Sequence, residues 1–194
     1  VFSFYATKTL ATGEGGMIVT NNDAWANRIR TMRLHGINRD VFDRYSSSKP
    51  SWFYEVVAPG YKYNLTDVAS AIGIHQLKKL DMMQGQREHI ATVYREHFAD
   101  LPLDLPYADP NERHSWHLFT IQLQTGRLSI DRDAFVEKLM GLGIGTSVHF
   151  IPLHRHPYWR DTYDLRDDDF PVATDVYRRT LSLPIYSAMT PEQT

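Results

Sequence analysis

The first sixteen residues constrain this chain more than any other stretch. Val1-Phe2-Ser3-Phe4-Tyr5 reads as the start of an apolar strand, Lys8 follows it, and Gly13-Glu14-Gly15-Gly16 makes a glycine-rich turn. A lysine between a strand and a tight turn is held by backbone on both sides. A held primary amine can form a Schiff base with an aldehyde cofactor or a carbonyl substrate. The same spacing suits a surface lysine beside a β-turn, and spacing alone does not choose between them. The glycines are not a nucleotide P-loop, because the Gly-Lys-Ser/Thr ending is absent.

Periodicity sets the rest of the outline. Gly16 to Thr20 predicts a short strand, and residues 21–23 a turn and helix cap. Asp23 to Arg33 predicts a helix with Trp25, Ile29 and Met32 on one face. Leu34 to Pro59 shows no period, and loops of that length inside compact domains tend to be functional or mobile. Thr66 to Leu80 predicts the strongest helix, capped by Thr66. Its Ala69, Ala71 and Gly73 leave a slim surface for close packing, with Val68, Ile72 and Leu77 on an apolar face and Ile74 beside it. Gln86 to Phe98 predicts a second helix with Ile90, Val93, Tyr94 and His97 at helical spacing, and residues 82–85 bend or break the run. Pro102, Pro106 and Pro110 mark an extended linker. Trp116 to Gln124 alternates as a strand. Asp131 to Leu142 predicts a helix with Phe135, Leu139 and Met140 inward and Gly143 at its end. Ile144 to Ile151 predicts a further strand. This α/β alternation predicts a small separate domain, so we place the boundary between 1–85 and 86–194.

Composition removes several function classes. The 194 residues carry a net charge of −2, no electrostatic footprint for nucleic acid or an anionic membrane. No apolar run approaches the roughly 18 residues of a membrane span. With no cysteine there are no disulfides, thiolate nucleophiles or Cys-based metal sites, which fits a cytoplasmic protein. His154 and His156, or His114 and His117, lack the carboxylate or third ligand that a metal site needs. The acidic run Asp167 to Asp169 reads as a solvated loop.

Several motifs in order carry a resemblance. Ser3-x-x-x-x-Lys8 with Gly13-Glu14-Gly15-Gly16, then Gly60-Tyr61-Lys62-Tyr63-Asn64-Leu65-Thr66-Asp67, then Ala71-x-Gly73-x-x-Gln76-Leu77, resemble segments of the DegT/DnrJ/StrS sugar aminotransferases. So do Trp116-His117-Leu118-Phe119, Gly145 to His154, and Ser182-Leu183-Pro184. The resemblance implies an α/β chain with the type I, aspartate aminotransferase-like fold. It would comprise the end of the large domain of a pyridoxal 5'-phosphate (PLP) enzyme and a small C-terminal α/β domain. It also implies the roles of residues. Lys8 would be the catalytic lysine that links to PLP and then moves protons. Ser3 would donate to the cofactor phosphate, and Asn64 would reach the phosphate bound by the neighbouring subunit of a homodimer. His149 would line the substrate pocket. By their own chemistry, Arg33, His35 and Arg39 suit the diphosphate of a nucleotide-sugar. On their residues alone, Ser3 is also a strand-edge serine, Asn64 a helix-entry turn residue, His149 a hydrogen-bonded strand histidine and Arg33 a solvated helix end.

The implied reaction moves an amino group, from glutamate, to a keto-sugar on a nucleoside diphosphate. His35-Gly36-Ile37, the Gly60 to Asn64 run and His149-Phe150 look most like the branch acting on UDP-4-keto sugars, including the 4-amino-4-deoxyarabinose enzyme. Two alternatives stay open. One is a sugar dehydratase of the same family, against which Lys8 argues because those enzymes have His there. The other is a non-catalytic regulatory or structural member. The chain opens without Met inside a strand pattern, and Thr190-Pro191-Glu192-Gln193 reads as a helix start near its end. We therefore expect a C-terminal half whose pyridine-pairing carboxylate lies upstream, and which is inactive by itself.

Overall fold

The computed structural model describes residues 1–38 and 54–194. Arg39 and the rest of 39–53, within the aperiodic stretch from Leu34 to Pro59, lie outside the described residues. The chain divides into two compact units, Val1–Lys79 and Leu80–Thr194.

In the first unit, β1 (Phe2–Ser3) pairs antiparallel with β2 (Gly16–Met17), matching Phe2 to Met17 and Ser3 to Gly16. The strand expected to Thr20 stops at Met17. A two-residue partner supports no longer ladder, and Ile18 and Val19 are exposed. Helix α1 (Asp23–Met32) starts where Asn22 Oδ1 accepts the Trp25 N–H at 3.0 Å. Trp25 faces outward instead of inward; Ala26, Ile29, Thr31 and Met32 are the half-buried positions. The chain then runs against residues 56–63. His35 N–H donates to Tyr61 O at 2.8 Å, Tyr63 N–H to Arg33 O at 2.8 Å, and Val57 N–H to Gly36 O at 2.8 Å. Two glycines permit this approach. A Cβ on Gly36 would lie 1.8 Å from Ala58 O, and one on Gly60 would lie 1.9 Å from Gly36 N.

Helix α2 (Asp67–Leu77) starts at Thr66, whose Oγ1 accepts the Ala69 N–H at 3.2 Å. It ends three residues earlier than expected, and the next helix begins at Leu80, not Gln86. The break falls at Lys78 and Lys79, where Lys79 N–H bonds back three residues to Gln76 O, a tightened last turn that needs neither Gly nor Pro. The slim face packs in part: Ala69 and Gly73 are half-buried, and a Cβ on Gly73 would meet Thr12 Cγ2 at 3.2 Å, whereas Ala71 is exposed. The apolar face does not. Val68, Ile72, Ile74 and Leu77 are exposed, and among the described residues no hydrophobic side chain of this unit is buried.

The second unit holds the core. Helix α3 (Leu80–His97) lies near a three-stranded antiparallel sheet of β3 (Leu103–Asp104), β4 (Phe119–Leu123) and β5 (Thr180–Leu183), in the order β3-β4-β5. Its residues Ile90, Ala91 and Tyr94 form one buried cluster with Trp116, Phe119, Ile121, Leu123 and Leu181. Each fully buried side chain of this kind contributes about 1.5–3 kcal/mol. His97, at helical spacing with Ile90 and Tyr94, is exposed, and Phe98 beside it packs against the cluster instead. Helix α4 (Arg132–Gly141) packs Phe135, Val136 and Leu139 against the cluster. Met140, expected inward, is exposed, since buried Arg132 turns the Arg132–Val136 stripe to the core. The strand expected from Ile144 to Ile151 reduces to one bridge, Ser147 to Ser182. Gly143 at φ +80° and Gly145 precede it, and glycine favours no extended pairing. Helices α5 (Pro157–Tyr163) and α6 (Pro171–Arg179) both carry Pro at their first turn, where it removes no helical hydrogen bond.

The acidic run is more than a solvated loop at one residue. Asp167 accepts from Arg155 Nε at 2.9 Å and from Arg155 Nη2. Arg178 Nη2 and His154 Nε2 each lie at 3.4 Å. The Arg155 guanidinium, followed by the Arg178 and His154 charges, holds the Asp167 carboxyl below the usual carboxylate range. A carboxyl depressed in the folded chain stabilises it fully above the unfolded value of about 4, and that contribution is lost as pH falls through the lower folded value. Thermal unfolding should therefore show wild type above Asp167→Asn at pH 7, with the gap closing near pH 3. A gap that persists unchanged at pH 3 would refute this.

Candidate active site

Lys8 lies in the turn between β1 and β2. Its backbone N–H donates to Tyr5 O at 2.9 Å, while Thr12 N–H closes onto Phe4 O at 2.9 Å and Phe4 N–H onto Gly15 O at 2.9 Å. This three-bond net fixes the backbone beneath a half-buried lysine. Ser3, five residues earlier on β1, is exposed, and its Oγ receives the Tyr5 N–H at 3.4 Å.

Asn64 approaches the far side of the same turn. A groove of about 690 Å³ is lined by Asn64 and Thr66 on one side and by Phe2, Gly15, Gly16 and Met17 on the other. Gly15, at φ +151°, leaves no room for a side chain. A Cβ would lie 2.9 Å from Leu65 Cδ1 and 2.6 Å from Thr12 Oγ1. Only glycine lets the Lys8 turn and the Asn64 loop meet. Asn64 Oδ1 accepts from Lys62 Nζ, so the amide keeps its two N–H donors for another acceptor. Lys8 and Ser3 do not line this groove. Arg33 and His35 come close in the ladder through backbone pairing with Tyr63 and Tyr61, on the chain entering Asn64. His35 itself has φ +59°, the left-handed region that histidine tolerates better than most side chains. The Lys8 amine and the Ser3 hydroxyl on the strand before it suit an aldehyde cofactor that carries a phosphate. Among the described residues, no group of three or more His, Asp or Glu is placed to hold a metal, and no helix is long and apolar enough to cross a membrane.

His149 belongs to the second unit. It is half-buried, with Nδ1 2.9 Å from Ser182 Oγ and its ring edge-on to Phe150 at 4.8 Å. The tryptophan and serine motifs of the sequence meet in this unit. Phe119 pairs with Leu183, and Tyr94 Oη donates to Pro184 O at 2.9 Å. Burial pushes the Tyr94 phenol above its ordinary value.

Two residues were not singled out from the sequence. Lys62 brings an ammonium to Asn64. Arg87 is buried in α3, and its Nη1 donates to Trp116 O at 2.9 Å and Ile185 O at 3.1 Å. Trp116 stands at φ +46°, a conformation a bulky residue keeps only when its surroundings enforce it. Its N–H is also tied, to His114 Nδ1 at 3.0 Å. The signal for Arg87 was present in the sequence. Gln84, Arg87, Ala91 and Tyr94 continue one helical stripe that the apolar residues alone begin only at Ile90.

Comparison with known proteins gives this geometry a setting. The chain is 47% identical over 190 residues to the spore coat polysaccharide biosynthesis protein SpsC of Bacillus subtilis, a match covering 97% of this chain and 49% of that protein. It is similar to Helicobacter pylori PseC, an aminotransferase involved in the biosynthesis of pseudoaminic acid. That match has a TM-score of 0.85 and 27% identity, covering 99% of this chain and 49% of the other. It is similar too to DesV of S. venezuelae, solved in complex with a ketimine intermediate, with a TM-score of 0.82 and 30% identity over 99% of this chain and 47% of that one. The chain spans about half the length of the curated relatives it matches. Its mixed α/β fold is that of the sugar aminotransferases, as the motifs implied. The DegT/DnrJ/EryC1/StrS aminotransferase family model matches residues 1–194, and the chain belongs to that family.

Proposed function

We propose that the full-length protein is a PLP-dependent aminotransferase that moves an amino group from glutamate to a keto-sugar carried on a nucleoside diphosphate, a UDP-4-keto sugar. It acts in the cytoplasm as a homodimer. In this reading residues 1–85 belong to the large cofactor domain and 86–194 to the linking helix and small domain. The observation that carries it is the half-buried Lys8 on a turn closed by three backbone hydrogen bonds, with Ser3 on the strand that leads into it. PLP, when bound, supplies the aldehyde and the electron sink. Lys8 Nζ supplies the amine that holds the cofactor covalently and, once displaced by the amino donor, serves as the base that takes up and returns a proton. Ser3 Oγ supplies a neutral donor for the phosphate of the cofactor on Lys8, and the Asn64 amide one for the phosphate bound by the neighbouring subunit. Arg33 and His35 supply donors for a diphosphate, and His149 a ring nitrogen for a sugar oxygen.

The test is spectroscopic. PLP added to the full-length protein should give the visible band of the lysine-bound form. Glutamate should then discharge that band, and a UDP-4-keto sugar should restore it. A protein that takes up PLP through Lys8 but ignores every amino donor would be a non-catalytic member instead. A full-length protein that is monomeric and fully active at assay concentration would remove the homodimer, and Asn64→Ala tests the phosphate contact. It should weaken PLP retention about tenfold, the loss of one or two hydrogen bonds to a charged group, while the unfolding midpoint moves little. Equal PLP retention by Asn64→Ala and wild type, measured by dialysis, would remove Asn64 from the phosphate site.

A further inference from the structure

We propose that Ser182 is a positioning residue for His149, with Thr120 holding the serine in turn. Ser182 lies on β5 among buried neighbours and is only 4% exposed. A buried hydroxyl is costly there unless it is bonded, and an alanine would fill the position at less expense. Its backbone needs no help from the side chain. Ser147 N–H donates to Ser182 O at 3.2 Å, and Ser182 N–H donates to Ser147 O at 2.7 Å. The hydroxyl is therefore left for side chains, and it has two. Thr120 Oγ1, directly opposite on β4, lies at 3.2 Å, and His149 Nδ1 lies at 2.9 Å.

The three groups form a line that begins on the sheet and ends at the ring. His149 follows a segment with a single bridge to the sheet, at Ser147, so the backbone holds it only two residues away. The Nδ1 bond and the Phe150 edge contact then fix the ring itself. With Nδ1 engaged, Nε2 is the nitrogen that remains for an outside partner. A fixed ring loses less freedom when it binds, so the relay acts on affinity more than on chemistry.

This inference rests on the reading of His149 as a substrate residue, so the test separates the two. In the full-length holoenzyme, Ser182→Ala should raise KM for a UDP-4-keto sugar about three- to tenfold, the effect of one lost hydrogen bond, with kcat within about twofold. Thr120→Val should raise KM less, and Ser182→Thr, which restores a hydroxyl, should recover most of the loss. On a His149→Ala background Ser182→Ala should add nothing. Ring ¹⁵N spectra give a readout independent of turnover, since the His149 Nδ1 resonance should move in Ser182→Ala. An unmoved resonance, or an equal KM increase on both backgrounds, overturns the positioning role. A moved resonance together with a KM untouched by His149→Ala keeps the positioning role and overturns the substrate role of His149.

Discussion

Lys8→Ala should take amino transfer by the full-length protein down by about 10³-fold or more, the scale of removing a group that acts in proton transfer and covalent attachment together. Lys8→Arg should fail equally. The guanidinium keeps its charge, spreads it over a planar fork and cannot form the covalent link that a primary amine forms. The loss should be chemical, not structural. The turn that carries Lys8 is closed by backbone bonds from Lys8, Thr12 and Phe4, none of which uses the Lys8 side chain. Circular dichroism of both variants should therefore match wild type, while the visible band of lysine-bound PLP is missing. Turnover by either variant within tenfold of wild type would remove Lys8 from the mechanism.

Arg87→Ala should produce the largest loss of stability available to a single polar substitution in the second unit, about 3–5 kcal/mol. Two effects compete. The guanidinium is buried, which lowers its proton affinity from the ordinary arginine value, and its Nε has no hydrogen-bond partner among the described residues, so its burial has a cost. Against that stand charge-assisted bonds to Trp116 O and Ile185 O, each worth about 1.5–3 kcal/mol. Those bonds win, because truncation also leaves two carbonyls without a donor and releases Trp116 from its left-handed backbone. Denaturant unfolding followed by tryptophan fluorescence gives the values. A cost below about 1 kcal/mol for Arg87→Ala would mean the clamp does not hold Trp116.

Local chemistry was legible in the sequence, and burial much less so. The helix starts at Asn22 and Thr66 were visible because a cap needs only its own hydroxyl or amide and the backbone three residues on. Lys8 and Asn64 were legible as parts of ordered motifs, and their shared neighbourhood follows from Gly15, a residue whose value is the side chain it lacks. The outward turn of Trp25, Met140 and the α2 apolar face was not legible, since which face of a helix is covered depends on what lies across from it. The strand expected at Ile144 to Ile151 failed for a related reason. An apolar run becomes a strand only where a partner edge accepts it, and here only Ser147 is accepted. Arg87 was missed because an arginine on a charged helix reads as solvated until its stripe is followed back to Gln84.

The uneven distribution of burial changes how mutational tolerance along this chain is to be read. All eight buried hydrophobic side chains among the described residues belong to the second unit, from Ile90 to Leu181. A polar substitution at Ile121 there damages the unit that contains it. A polar substitution at Val68 or Leu77, 74% and 60% exposed, breaks no buried contact among the described residues of its own unit. A sensitivity map of the two units therefore reports two different quantities. In the second unit it measures the packing of this chain. On the outer face of α2 it measures only whatever surface is laid against it, and a position there that proves intolerant marks a contact made with something else.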